Sequence, residues 1–235
     1  MTHLPSTAMA PPPRPIDYPD SDGEPMADNT EQFAFIQTFQ ANLDLLLPDF
    51  VAGDHLWYPV EGRPDIRVAP DVYVALGRPK GHRGSYKQWV EGGVPLQVVF
   101  EWWSPRNDFA SQIRKLRFYE QHGVQEFYTF DQLRGVFSAF VRRGEGLDPV
   151  DTEEGFQSPL LGVRFQAVDG VLRAWNPDGS PFRTVAEMDA DRRRAEEERA
   201  RAEEERAQAE DERDAALART RALEAQLRAL GVTPD

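Results

Sequence analysis

Hydrophobic and polar positions change rhythm several times along the chain. Phe33, Ile36, Phe39, Leu43 and Leu47 recur every three or four residues. Asn29 or Thr30 is placed to cap that run and Pro48 to stop it, so the spacing predicts a helix. Strand-like runs follow at residues 49–60, broken by a Gly-Asp turn, and at 70–76. A long loop over 77–94 leads to a strand over 96–103. There Leu96, Val98, Phe100 and Trp102 alternate with Gln97, Val99, Glu101 and Trp103. Both faces are mostly apolar, which puts this strand at the centre of a sheet covered on both sides. A second helix is capped by Asn107 or Asp108, carries the stripe Phe109, Ile113 and Leu116, and ends at Gly123. Strands are predicted over 124–130 and 136–143, and a hairpin about Asp169-Gly170 over 160–175. Helix, strands, helix and strands again give an α/β (α+β) fold with a mixed central sheet flanked by helices.

The ends differ from this middle. Residues 1–28 are rich in Pro, Asp and Ser and read as a flexible or loosely draped arm. The globular part, 29–184, closes near Phe182. From about Val185 the chain is Ala, Glu and Arg without Gly or Pro until Gly231, a long charged helix. Ala195, Ala202, Ala209, Ala216, Leu223 and Leu230 repeat every seven residues. Thr220 and Leu227 supply a second seam position near the end, so a coiled coil pairing two copies as a homodimer is expected there. Arg199, Arg206 and Arg213 at the upstream seam leave a solvated single helix, held by Glu–Arg pairs, as the other reading.

Composition narrows the chemistry. With no cysteine among 235 residues, disulfides, thiolate zinc sites and thiol nucleophiles are excluded. No apolar run is long enough to cross a membrane, and the start lacks a secretory pattern, so a cytoplasmic protein is expected. The net charge of −13 taken alone argues against a general nucleic-acid binder. The acid is concentrated at the ends, however. The loop GRPKGHRGSYKQW brings together Arg78, Lys80, Arg83 and Lys87 and interleaves Tyr86 and Trp89. Such a loop suits a phosphate backbone, or is simply solvated. His55, His82 and His122 show no metal-ligand spacing, and His122 reads as a helix C-terminal residue favoured by the dipole.

Glu101 is the anomaly in the central strand. A buried carboxylate needs an ion pair, a metal ion or a catalytic role to offset its desolvation. If the strand over 70–76 pairs antiparallel with that over 96–103, Asp71 lies beside Glu101 and Leu76 beside Leu96. Two carboxylates at one strand edge repel, and a divalent cation relieves that. Oxygen ligands suit Mg²⁺ or Mn²⁺. On the following helix, Gln112, Lys115 and Tyr119 share a face apart from the apolar stripe. A lysine there would orient the attacking water or neutralise charge on a phosphate. The plainer alternatives are a strand-start aspartate at 71, an Arg67–Glu101 ion pair, a surface lysine at 115 and a packing role for Tyr119.

The segments APDVYVALGRPKGHRGSYKQW, VVFEWWSPRND and KLRFYEQHGVQEFYTFD resemble the Uma family of restriction endonucleases, within the PD-(D/E)XK nuclease superfamily. The resemblance runs from roughly Tyr18 to Phe182. It implies a restriction-endonuclease-like core, a Mg²⁺ site and hydrolysis of DNA phosphodiester bonds. Pro70-Asp71 and Glu101 match the two acidic motifs, Ser104-Pro105 the dipeptide after the second, and Lys115 and Tyr119 the helix positions. Trp103 stands where the superfamily usually places a lysine, and Glu31 is the candidate for its optional first-helix acid. The competing expectation is an inactive nuclease fold acting as a scaffold through its C-terminal helix.

Overall fold

The computed structural model describes residues 16–21, 23, 27–104 and 107–229. It divides into two compact units that meet between Thr184 and Val185. Helix α1 spans Thr30–Leu46, with Asn29 as its cap accepting the backbone N–H groups of Glu31 and Gln32. Its buried face is Gln32, Phe35, Ile36, Phe39, Asn42 and Leu43. Phe33, which the spacing placed in the stripe, is exposed, because it sits about a third of a turn from the centre of that arc.

Six strands form the main sheet in the order β1-β3-β5-β6-β7-β8. They are β1 (Asp49–Gly53), β3 (Val72–Pro79), β5 (Val98–Trp103), β6 (Glu126–Asp131), β7 (Val136–Arg143) and β8 (Gly146–Val150). β5 and β6 are parallel and joined by α2 (Phe109–Gln121), while every other neighbouring pair is antiparallel. A two-stranded ribbon, β2 (Trp57–Tyr58) with β4 (Tyr86–Lys87), interrupts the expected loop after β3. A small sheet of β9 (Phe156–Gln157), β10 (Arg164–Val168) and β11 (Val171–Trp175) ends the globular unit. The β10–β11 hairpin turns at Asp169-Gly170, both at positive φ (51° and 74°), as a two-residue primed turn requires.

The central strands are covered on both faces. Val72, Val74, Val98 and Phe100 meet α1 and the small sheet in one core. Tyr73, Ala75, Val99 and Phe127 meet α2 and the β2–β4 ribbon in the other. This alternation along β3 and β5 creates two cores from one sheet and fixes which residues share a face with α2.

Two expectations change, and one strand, β8, had no counterpart in the sequence reading. Part of the N-terminal arm is docked: Tyr18 packs on Tyr58 and Trp89, and its hydroxyl accepts the Gly62 N–H. Asp20 accepts the Ser85 hydroxyl, and a Cβ on Gly84 would strike the Asp20 carboxylate. Strand β8 escapes the alternation rule because Asp148 and Pro149 break it, and proline is tolerated on an edge strand. His122 packs against Phe118 and Trp57, and burial lowers its pKa, which favours the neutral ring over a dipole-stabilised cation.

Helix α3 covers Val185–Ala229, 45 residues and about 68 Å at 1.5 Å per residue. None of its residues is buried. Arg192 pairs with Asp189 and Glu196 across one turn, so the upstream part carries its own ion pairs. Leu217, Leu223 and Leu227 are exposed; Leu230 lies outside the described residues.

Candidate active site

The sheet brings two carboxylates to one edge. β3 and β5 pair as Val72↔Phe100, Tyr73↔Val99 and Val74↔Val98. One further step in the same register sets Asp71 against Glu101. The step on the other side stops short, because the Gln97 side chain takes the Leu76 N–H instead of continuing the ladder to Leu96. Asp71 and Glu101 are both buried, at 8% and 3% exposure. Cross-strand neighbours on one face stand about 5 Å apart at Cβ, close enough for their charges to interact.

Every oxygen of the pair has a donor. Asp71 Oδ1 accepts Gln32 Nε2 at 2.9 Å, and Oδ2 accepts the Trp102 backbone N–H at 2.5 Å. Glu101 Oε2 accepts Lys115 Nζ at 2.6 Å, and Oε1 accepts the Tyr119 hydroxyl. Burial, reinforced by the Glu101 charge, pushes the Asp71 pKa up to about 7, against the opposing effects of Lys115, Trp102 and Gln32. Burial alone would lower Lys115, but the charges of Glu101 and Asp71 outweigh it and its pKa is raised. Burial followed by the Glu101 charge holds the Tyr119 hydroxyl well above its ordinary range. Lys115 and Tyr119 therefore act toward Glu101 as protonated donors. The Lys115 side chain keeps 28% exposure, so this side of the site reaches solvent.

The donor set can be tested against a divalent cation. Among the described residues no cluster of three or more His, Asp or Glu groups has metal-site geometry. Mg²⁺ commonly takes one or two protein carboxylates and fills its remaining positions with water and phosphate oxygens. Two buried carboxylates, one with its pKa pushed up to about 7 by burial and then by the other's charge, suit such an ion, and each oxygen retains a lone pair beyond its present hydrogen bond.

Not every candidate joins this pair. Glu31 accepts from Gln132 Nε2, while its neighbour Gln32 is the residue that reaches Asp71. Gln112 faces a groove beside the pair. Arg67 donates to the Tyr58 hydroxyl, and Lys115 is the partner of Glu101. Trp103 is buried in the α2-side core. The four loop cations are held elsewhere. Arg83 forms an ion pair with Glu91 at 2.6 Å and lies over the Phe50 ring. Arg78 donates to the Glu91 carbonyl, Lys80 pairs with Asp44, and Lys87 sits over the Tyr18 ring. Arg78 stands about 20 Å along β3 from Asp71. Tyr86 is buried, with its hydroxyl on the Val94 carbonyl.

Sequence reasoning missed Gln32. Its Oε1 accepts the Asp28 N–H, which aims Nε2 at Asp71. The signal was present as a glutamine three residues after the Asn29 cap, the spacing of a capping box.

Residues 17–169 match the Uma2 family, described as "Putative restriction endonuclease". The chain belongs to this family. Among solved structures, this Uma2-family chain is similar to a "putative nuclease belonging to DUF820" from Anabaena variabilis, at 9% identity and a TM-score of 0.41. The likeness covers 57% of this chain and 75% of that one. No curated protein matches the sequence.

Proposed function

We propose that the protein is a metal-dependent nuclease that hydrolyses DNA phosphodiester bonds at Asp71 and Glu101, with Lys115 assisting. The observation that carries this reading is the buried carboxylate pair, Asp71 just before β3 and Glu101 on the adjacent β5, with a protonated lysine on one of its members. Asp71 and Glu101 are the residues that would hold Mg²⁺ or Mn²⁺, and a bound ion supplies charge stabilisation for the attacked phosphate. Gln32 and the Trp102 N–H orient Asp71, and Tyr119 orients Glu101. Lys115, with its raised pKa, is a poor general base. Its role is to donate a hydrogen bond to the attacking water or to offset charge gathering on the phosphate oxygens. In this reading the exposed seven-residue repeat of α3 pairs two copies, so that two sites address two strands.

A second reading has a specific observation behind it. Both Glu101 oxygens are already occupied and Trp103 fills the usual lysine position, as an inactive fold with a structural Lys115–Glu101 ion pair would have. Incubating supercoiled and single-stranded DNA with purified protein in Mg²⁺, Mn²⁺ or EDTA separates the two. Metal-dependent cutting that disappears in Glu101→Gln supports the nuclease; no cutting with either metal leaves the scaffold.

A further inference from the structure

One row of residues crosses the sheet on the face toward α2. Glu101 is the register partner of Thr129 on β6, and Thr129 is the partner of Ser138 on β7. With Asp71 at its head, the row is polar throughout. The row on one side of it, Val99, Phe127 and Phe140, is apolar. Strands lie about 4.8 Å apart, so Thr129 and Ser138 stand one and two strand spacings from Glu101.

Beyond Glu101 the row runs into a groove of about 230 Å³ between α2 and the sheet. Trp103, Phe109 and Phe127 are among its walls, and Gln112, Thr129, Ser138 and the Asp131–Arg134 ion pair line it with polar groups. The stripe Phe109, Ile113 and Leu116 would close this space if α2 lay flat, but Phe109 is 76% exposed and none of the three is buried. The groove is smaller than the pockets that hold drug-sized ligands and suits a single planar ring system. Aromatic walls offer a stacking surface, while an amide and two hydroxyls offer both donors and acceptors at its edge. That combination, one strand away from the candidate catalytic glutamate, fits one part of a nucleic acid.

We infer that the groove receives an unstacked nucleobase next to the phosphate presented to Asp71 and Glu101, so that the substrate is single-stranded or locally opened nucleic acid. The inference rests on the nuclease reading for its choice of ligand. A base can enter from a flexible strand without paying the cost of leaving a duplex stack, which favours single strands over intact duplex.

The test measures binding in EDTA, where cutting is not required. Fluorescence anisotropy compares an oligothymidylate with an abasic strand of the same length and phosphate count, using wild type, Ser138→Leu to fill the groove and Phe109→Ala to remove its exposed wall. Melting temperatures check that each variant folds. Wild type is expected to prefer the base-bearing strand by roughly tenfold, the scale of one stacked base, and both variants to lose most of that preference. Equal affinity for the two strands, no binding of either, or a preference unchanged in both variants overturns the inference. Cleavage in Mn²⁺ is scored separately. A protein that prefers bases but never cuts keeps the groove and loses the nuclease reading, and one that cuts without base preference does the reverse.

Discussion

Replacing Asp71 with asparagine should make the protein more stable at alkaline pH, and the structure gives the scale. In the folded state the Asp71 pKa is about 7, against an ordinary 3.8. A folded pKa above the unfolded one means that this group's contribution to stability is full below about pH 4 and is lost as pH rises to about 7. The gap corresponds to a ceiling of about 4 kcal/mol by pH 8. The asparagine side chain has nothing to ionise. It does lose an acceptor, because its one carbonyl oxygen can serve either Gln32 Nε2 or the Trp102 N–H, but not both. An unsatisfied buried donor costs about 1–3 kcal/mol. The net gain at pH 8 is therefore about 1–3 kcal/mol, or roughly 3–9 °C in Tm. Thermal melts of wild type and Asp71→Asn in EDTA from pH 5 to pH 8 measure it. At pH 5 wild type carries the proton and the two should be level, or the variant slightly lower. A difference that stays constant across this range would refute the raised pKa of the buried Asp71 carboxyl.

Other consequences follow from the same contacts. Lys115→Met removes the cation that restrains the Asp71 pKa, so any metal-dependent activity should reach its plateau at higher pH than in wild type; an unshifted pH profile counts against this. Glu126 is buried and accepts from Tyr128, Ser158 and the Leu160 N–H, anchoring the turn before β10. Glu126→Ala should cost about 2–4 kcal/mol in urea unfolding without altering metal affinity. Ending the chain at Thr184 should turn a dimer into a monomer by sedimentation if α3 pairs two copies, and leave the melting of the globular unit within a degree or two. The same number of copies in full-length and shortened protein rules out that pairing.

Much of the site was legible because a strand's period is two and its register is a single offset. Once Asp71 was set against Glu101, one offset fixed the β3–β5 register, and the structure keeps that offset over Val72–Val74 and Val98–Phe100. The double-faced apolar pattern placed β5 at the centre of the sheet for the same reason. What remained hidden depended on side chains meeting across long separations. Gln97 ends the ladder early with its own amide, which no periodicity records. Gln32 and Glu31 are adjacent in sequence, and only the angle at which α1 meets β3 decides which one reaches Asp71. The loop cations looked available for phosphate, yet Glu91, Asp44 and Tyr18 engage three of them from positions with no sequence signature. The stripe on α2 promised burial, but spacing cannot say how closely a helix approaches its sheet.

If Asp71 and Glu101 together hold a divalent ion, its binding must depend on both carboxylates. Calorimetric titration of Mn²⁺ into the full chain at pH 8 tests it most directly. One site per chain is expected, abolished or weakened at least tenfold in both Asp71→Asn and Glu101→Gln proteins that remain folded. Wild type that takes up no Mn²⁺, or variants that bind it as wild type does, would contradict a metal site at this pair.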